Sequence, residues 1–296
     1  MNSSLLNDIL TELHAGDLVP YLGPEALRAV VDRSSGRPIP ADSDSLILAM
    51  TGGQPMAPRL MYEFPRAAMH LENKKGRSFI ERFLTQTYGG DNWTVSPVHQ
   101  WLASLELPYV IDCNRDTQLQ RCYAERAHTL VVGAARLAAT PYRFDLYQCE
   151  GGRYRRIELA EVDHALPVLF KPLGTPLPKP GYVASDADFV DYITELMGGF
   201  AVPAWLKQRR RNRRYLFLGM RFNRDTERMV MSDLIHDAAT PAGWVLIAEP
   251  SAKERKVCAR KNLQLVEADW SDLFALANPA AVPAIPSTAT VVARIP

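Results

Sequence analysis

Short apolar runs that alternate with amphipathic helical segments are the feature that most constrains the fold of this chain. Residues 108–113, 166–171 and 214–219 each centre on such a run, and helical patterns at 186–197 and 224–238 lie between and after them. Apolar runs of this length are typical of strands that are covered on both faces. The sequence therefore predicts an α/β fold with a mostly parallel sheet and helices on both of its faces.

Changes in composition along the chain indicate how it is organised. We expect residues 1–278 to form a single α/β domain. Within it, residues 33–58 are rich in Gly, Pro, Ser and Asp, and two helical stretches follow up to residue 88, so we interpret 33–95 as a loop-rich and helical insertion. Residues 279–296 are rich in Ala, Pro and Val without a helical period, and we expect a tail that is either loose or laid against another surface.

Charge and composition exclude some classes of protein. The net charge is only +1, so no global field attracts the chain to nucleic acid or to a membrane. No segment approaches the ~20 apolar residues of a membrane span, and the N-terminus lacks the pattern of a secretory signal, which predicts a cytoplasmic location. The cysteines show no CxxC spacing, so we expect no metal site; they are Cys113, Cys122, Cys149 and Cys258.

Turns that follow the predicted strands are the places where a ligand is expected. In folds of this class, ligands bind at the carboxyl ends of the strands, where glycine-rich turns meet helix N-termini. Four such turns are present, at residues 22–26, 113–116, 173–175 and 217–220. Each is a weak signal by itself, because a glycine after a strand usually serves only to turn the chain.

Taken in chain order, these turns resemble the motifs of the SIR2-like family, the NAD-binding domains related to sirtuins. VPYLGPEAL at 19–27 matches a glycine-rich turn, and PYVIDCNRD at 108–116 matches a strand that ends in Thr-Asn-x-Asp. VLFKPLGT at 168–175 and YLFLG at 215–219 match strands that end in Lys-Leu-His-Gly-Ser and Phe-Leu-Gly. The resemblance implies a Rossmann-like, SIR2-like fold. It also implies a nucleotide site of which five residues remain: Gly23, Asn114, Asp116, Gly174 and Gly219.

Departures from the family motifs affect the residues that carry its chemistry. Pro24 removes a main-chain N–H from the turn that should hold pyrophosphate, and Glu25 places a negative charge where phosphates should lie. Leu173 stands where the family has a histidine that acts as general base, and leucine cannot transfer a proton. We therefore expect no catalytic residue of the family type and interpret the chain as a pseudoenzyme.

The polar residues that do remain allow two interpretations. Asn114 and Asp116 could still bind a sugar, or they could simply cap the turn between a strand and a helix. None of the six histidines follows a strand in the way that the family's base does. His99 in particular is expected to be a packing or capping residue.

A basic run at residues 207–214 is a candidate surface for a partner. Six of its eight residues are Lys or Arg, and the partner-binding candidates are Arg209, Arg210, Arg211 and Arg213. The alternative is a solvated helix end, where the helix dipole favours arginine. We favour this alternative, followed by an acidic protein surface, with nucleic acid last.

Together these features predict a catalytically degenerate SIR2-like protein that acts as a protein-binding accessory or assembly factor. The resemblance extends to accessory factors that accompany nitrogenase in nitrogen fixation, which makes nitrogenase a candidate partner. We expect no cofactor, with NAD or ADP-ribose as the ligands to consider first. Two alternatives stay open. One is an NAD-hydrolysing enzyme with a rearranged site that uses Asn114, Asp116 and Glu25, and the other is a nucleotide sensor that binds without turnover.

Overall fold

A nine-stranded sheet forms the centre of the molecule in a computed structural model that describes residues 2–279. Its order is β11-β10-β9-β1-β2-β6-β3-β4-β5, and the strands from β11 to β3 are all parallel. A two-stranded ladder, β7 and β8, lies apart from it. The strands are β1 (Leu18–Leu22), β2 (Tyr109–Asp112), β3 (His128–Gly133), β4 (Phe144–Glu150), β5 (Arg153–Arg156), β6 (Val168–Lys171), β7 (Gly174–Thr175), β8 (Gly181–Tyr182), β9 (Arg214–Leu218), β10 (Gly243–Leu246) and β11 (Leu263–Val266).

Helices cover both faces of the sheet. They are α1 (Asn2–His14), α2 (Ser43–Met50), α3 (Pro58–Met61), α4 (Phe64–Lys75), α5 (Arg77–Tyr88), α6 (Pro97–Ser104), α7 (Gln118–Cys122), α8 (Asp186–Gly198), α9 (Ala204–Arg210), α10 (Asp225–Leu234), α11 (Ala252–Arg260) and α12 (Trp270–Ala277). None of these helices is both long and apolar enough to cross a bilayer.

Alternate side chains of the central strands enter two separate apolar cores. In β9, Tyr215 and Phe217 pack with α8, α10 and α11, whereas Leu216 and Leu218 pack with α1, α6 and α12 on the opposite face. Burial on both faces explains why these strands read as continuous apolar runs. The predicted α/β fold, with a mostly parallel sheet and helices on both faces, is confirmed.

A third apolar core lies within the segment that we interpreted as an insertion. Helices α2, α4 and α5 pack around residues such as Ile47, Phe64 and Leu84. Tyr182 and Ala184, which follow β7, join this core from the side of the sheet. Residues 33–95, which we refer to as the insertion, therefore lie over the carboxyl ends of the central strands. The predicted tail, apart from Pro279, lies outside the described residues.

Two local details differ from the sequence-based expectation. The sequence pattern predicts a helix over residues 116–126, but the helix that forms is only Gln118–Cys122. Side chains hold the preceding turn: Asp112 accepts a hydrogen bond from the Asn114 N–H, and Asp116 accepts one from the Gln118 N–H. The β7–β8 ladder was not predicted, because strands of two residues show no periodicity.

Candidate functional site

A small cavity lies where β1, β2, β6 and β9 end beneath the insertion. Its volume is about 40 Å³. The sheet side contributes the turns that carry Pro24, Asn114, Leu173 and Met220. The insertion closes it with apolar and aromatic side chains, among them Leu46, Phe64 and Tyr88. This is the position at which the topology predicts a ligand site.

The cavity is far smaller than a nucleotide needs. A volume of ~15 Å³ accommodates one water, so this cavity has room for a few waters. Pockets that hold drug-sized ligands measure about 300–1,000 Å³. A dinucleotide therefore does not fit within this cavity in the conformation described.

The turn after β1 has no main-chain N–H available for a phosphate group. The Gly23 N–H donates to the Leu218 carbonyl, and the Glu25 N–H donates to the Gly219 carbonyl, each at 3.0 Å. The Ala26 N–H bonds back to Gly23 at 3.1 Å, and Pro24 has no N–H. A phosphate cradle depends on free N–H groups that point at the ligand. The carbonyls of Leu218 and Gly219 already accept hydrogen bonds from the N–H groups that such a cradle would offer to a phosphate.

Packing explains why the turns keep their glycines. A Cβ at Gly23 would lie 2.5 Å from the Gly219 carbonyl oxygen, so the two turns approach too closely for any side chain. Gly219 has a φ of +69°, and a Cβ there would lie 2.3 Å from the Ala26 nitrogen. Gly174 has a φ of +90°, and a Cβ there would meet the Gly181 carbonyl at 2.1 Å. These three glycines have a structural role whether or not a nucleotide binds.

Asn114 acts as a clamp between two strand ends. Its side-chain amide donates to the Gly23 carbonyl at 3.0 Å and to Asp112 Oδ1 at 2.9 Å. Its main-chain N–H also donates to Asp112 Oδ1. Asn114 lines the cavity, but its donors are occupied by the protein.

Behind this clamp lies a fully buried cluster of charged side chains. Lys171 Nζ is 2.7 Å from Asp112 Oδ2 and 3.7 Å from Asp116 Oδ2, and His99 Nε2 is 3.6 Å from Asp112 Oδ2. Burial by itself would raise the pKa of Asp112, but Lys171 and His99 outweigh it and hold the pKa of that carboxyl well below its usual range. Asp112 is therefore a carboxylate that lysine stabilises.

The same cluster meets the spacing of a metal site. Ligand atoms of His99, Asp112 and Asp116 lie within 4.8 Å of one another. The Lys171 ammonium already lies beside both carboxylates and supplies the positive charge that an ion would bring. His99 Nε2 and Asp116 Oδ2 have no hydrogen-bond partner among the described residues. His99 Nδ1 lies 2.6 Å from Ser96 Oγ at the start of α6, in keeping with a packing or capping role.

Leu173, which the resemblance to the SIR2-like motifs predicts to stand where a general base would be, is a buried wall of the cavity. Its carbonyl accepts a hydrogen bond from the Val183 N–H at 3.1 Å.

The acidic residue that does reach the cavity is Glu227, on the first turn of α10. Burial raises the pKa of Glu227 to about 7, and Glu63 and Asp42 add to the effect while Arg224 and Arg115 oppose it. The role of Glu227 as a cavity residue could not be predicted from the sequence, because most of the residues that surround it are far away in the chain.

An outer pocket of about 240 Å³ adjoins the cavity and has an acidic lining. Glu25, Asp42, Asp44 and Glu227 line it. Arg221, which also lines it, is engaged by the buried Glu254 at 2.7 Å. Burial raises the pKa of Glu25 despite the neighbouring arginines. Arg224 also lines the pocket and pairs with Asp44 at 3.3 Å, so a phosphate group here would meet four carboxylates and two arginines that already have acidic partners.

The basic run is less accessible than its sequence suggests. Arg210 is buried, and its guanidinium donates to the Leu234 carbonyl at 3.0 Å, so Arg210 is not available to a partner, contrary to our expectation. Arg209 donates to the carbonyls of Leu166 and Pro108. Arg211 and Arg213 are exposed.

Comparison with known proteins adds one finding about the family. A family model described as a SIR2-like domain matches residues 108–266, which is more than half of the chain. The match includes the turns with Asn114 and Gly219 and begins after the β1 turn with Gly23. A search of curated proteins finds no significant match.

Proposed function

Because the chain belongs to the SIR2-like domain family, we propose that it is a catalytically degenerate member that acts by binding another protein. The closed cavity carries this proposal. The inner cavity, lined by Leu173 and by side chains of the insertion, offers about 40 Å³, and the outer pocket beside it offers about 240 Å³. Occupied N–H groups in the β1 turn and the acidic outer pocket support it further.

A test of lost chemistry is incubation of the purified protein with NAD. At about 1 mM NAD, at the upper end of ordinary KM values, we expect no release of nicotinamide by chromatography. Turnover that disappears in the variant Glu227→Gln would contradict the proposal. Calorimetry with NAD and with ADP-ribose is expected to give no heat of binding, and a saturable signal without turnover would indicate a nucleotide sensor instead.

One observation favours the enzymatic alternative. Glu227 lines the cavity, and a carboxyl with a pKa of about 7 can act as a base or an acid near neutral pH. Of the residues that we assigned to such a site, Asn114 lines the cavity, Glu25 lines only the outer pocket, and Asp116 lines neither. The small volume weighs against this alternative.

The partner is best sought by affinity purification of the full chain from its native host. We expect a protein to co-purify in a fixed stoichiometric ratio, and its absence would remove the main support for an accessory role. Nitrogenase is the partner that we propose to test first, on the strength of the resemblance alone. The geometry of the site does not favour nitrogenase over another protein.

A further inference from the structure

Three strongly exposed apolar side chains lie on α8 and α10. The most exposed large apolar side chains among residues 2–279 are Met197 at 76%, Val190 at 68% and Met229 at 50%. Val190, Ile193 and Met197 recur at the i, i+3 and i+7 positions of α8 and so share one face. Large exposed apolar patches on a protein of this size mark interaction sites.

A groove of about 710 Å³ runs between α8, α10 and α11 beside this patch. Ile193, Met197, Met229 and Val257 form its apolar part. Two of the four are methionines, whose flexible side chains adapt to an incoming apolar surface. A groove with this lining can bind one face of an amphipathic helix.

Helix α11 gives the groove a positively charged wall. Arg260 and Lys261 line it, and Lys253 and Lys256 extend the basic surface along the same helix. The only acidic residue of α11, Glu254, is buried and bound to Arg221. Two carboxylates also line the groove: Asp225 pairs with Arg228, whereas Asp233 forms no ion pair among the described residues and is affected by the charges of His236, Arg210 and Lys261. Arg260 and Lys256 are left as exposed cations without an acidic partner among the described residues.

We propose that this groove binds an acidic amphipathic helical segment of a partner protein. The proposal rests on the protein-binding function proposed above and gives it a location and a partner chemistry. Apolar anchors of the segment insert between Met197 and Met229, and its carboxylates face Arg260 and Lys256. A membrane surface fits less well, because a flat bilayer does not enter a concave groove between three helices.

The test uses synthetic peptides and fluorescence anisotropy. One labelled peptide of about 16 residues carries Leu at i, i+3, i+4 and i+7 positions with Glu elsewhere, a length at which an isolated helix is marginal but accessible. Its matched counterpart carries Lys in place of Glu. We expect the acidic peptide to bind at micromolar concentrations and the basic peptide at least about tenfold more weakly. Added salt should weaken the acidic complex.

Variants locate the binding. Met197→Glu with Met229→Glu should abolish binding of the acidic peptide, and Lys256→Glu with Arg260→Glu should weaken it about tenfold or more. Arg37→Glu with Lys179→Glu changes two exposed cations that do not line the groove and should have no effect beyond about twofold. All these side chains are exposed, and circular dichroism checks that each variant folds.

Three outcomes would overturn the proposal. They are a lack of binding by the acidic peptide, equal binding by wild type and the double methionine variant, and binding to anionic phosphatidylserine vesicles in place of the peptide. A host protein that co-purifies equally with wild type and the methionine variant would refute this groove while leaving the accessory function intact. NAD turnover, in contrast, would refute the proposed function and leave the peptide result to stand.

Discussion

Lys171 is fully buried in β6, a position that a lysine rarely occupies without a partner. Strand β6 pairs with β2, and this neighbour brings Asp112 to within 2.7 Å of the ammonium. The Asp112 carboxylate in turn accepts hydrogen bonds from the main-chain N–H and the side-chain amide of Asn114, and that amide also donates to the Gly23 carbonyl in the β1 turn. The lysine therefore stabilises the arrangement of three strand ends through one carboxylate.

Removal of this lysine should destabilise the fold strongly. Lys171→Met keeps the length of the side chain but leaves Asp112 as a buried carboxylate without its counter-ion. We expect a loss of about 3–5 kcal/mol in the free energy of unfolding, measured by urea denaturation. The double variant Lys171→Met/Asp112→Asn removes both charges and should recover at least ~1 kcal/mol relative to the sum of the single changes. If Lys171→Met costs less than ~1 kcal/mol in the free energy of unfolding, Lys171 does not stabilise a buried Asp112 carboxylate.

Glu227 should make stability depend on pH near neutrality. Its pKa rises from the ordinary 4.5 to about 7 on folding, so between these values the folded protein holds a proton that the unfolded chain has lost. Stability therefore falls as pH rises from 4.5 to 7, and the penalty is fully present above 7. Glu227→Gln should gain about 1–2 kcal/mol over wild type at pH 8 and much less at pH 4.5, as chemical denaturation at the two pH values would measure. An equal difference at both pH values would contradict the raised pKa.

At the scale of elements, the insertion is fastened to the sheet side through the first turn of α8. Asp188 is buried there and forms ion pairs with Arg77 of α5 and with Arg136, which follows β3. It also accepts hydrogen bonds from the main-chain N–H groups of Ala184 and Ser185. Arg136 reaches Glu72 of α4 at 2.7 Å. One carboxylate therefore ties the helices that close the cavity to the helix that follows β8.

Asp188→Asn should loosen the insertion more than the rest of the fold. We expect a loss of about 1–3 kcal/mol, because hydrogen bonds to a charged group are replaced by weaker ones. Amide hydrogen exchange should become faster in α4 and α5 than in β9 and β1. Asp145→Asn is the control, because Asp145 lies on β4 and pairs with Arg156 of β5, and neither residue belongs to the insertion. Equal acceleration in both variants would show that Asp188 does not hold the insertion.

The helices and strands were largely predictable from the sequence, whereas the order in which the strands pair in the sheet was not. The apolar runs of β2, β6 and β9 and the periodicity of α8 and α10 are local signals, and the structure confirms them. That β6 lies between β2 and β3 is a tertiary fact, and only this order places Lys171 beside Asp112. Arg210 was expected at the surface because arginine usually is, yet its guanidinium caps the carbonyl of Leu234 at the end of α10.

At the scale of the whole molecule, the inner cavity lies between two parts of the fold, the carboxyl ends of the sheet strands and the insertion. The sheet contributes Leu173 and the occupied β1 turn, and the insertion contributes the aromatic wall with Phe64 and Tyr88. The sequence revealed the changed residues at the strand ends, because they stand within recognisable motifs. It could not reveal the volume, since that depends on how closely the insertion packs. The sequence also gave no sign that the β9 carbonyls would bind the turn's N–H groups.

The small cavity predicts that a histidine at position 173 will not confer NAD turnover on this protein. Leu173→His puts an imidazole in the position of the family's general base, but the cavity of about 40 Å³ and the occupied N–H groups of the β1 turn stay unchanged. We expect no nicotinamide release from about 1 mM NAD and no rise in melting temperature on addition of NAD, since a ligand that does not bind the native state cannot stabilise it. Wild-type protein measured in parallel should behave identically. Turnover by Leu173→His alone would mean that the insertion opens readily and that the side chain at position 173, rather than the closure of the whole site, controls NAD turnover.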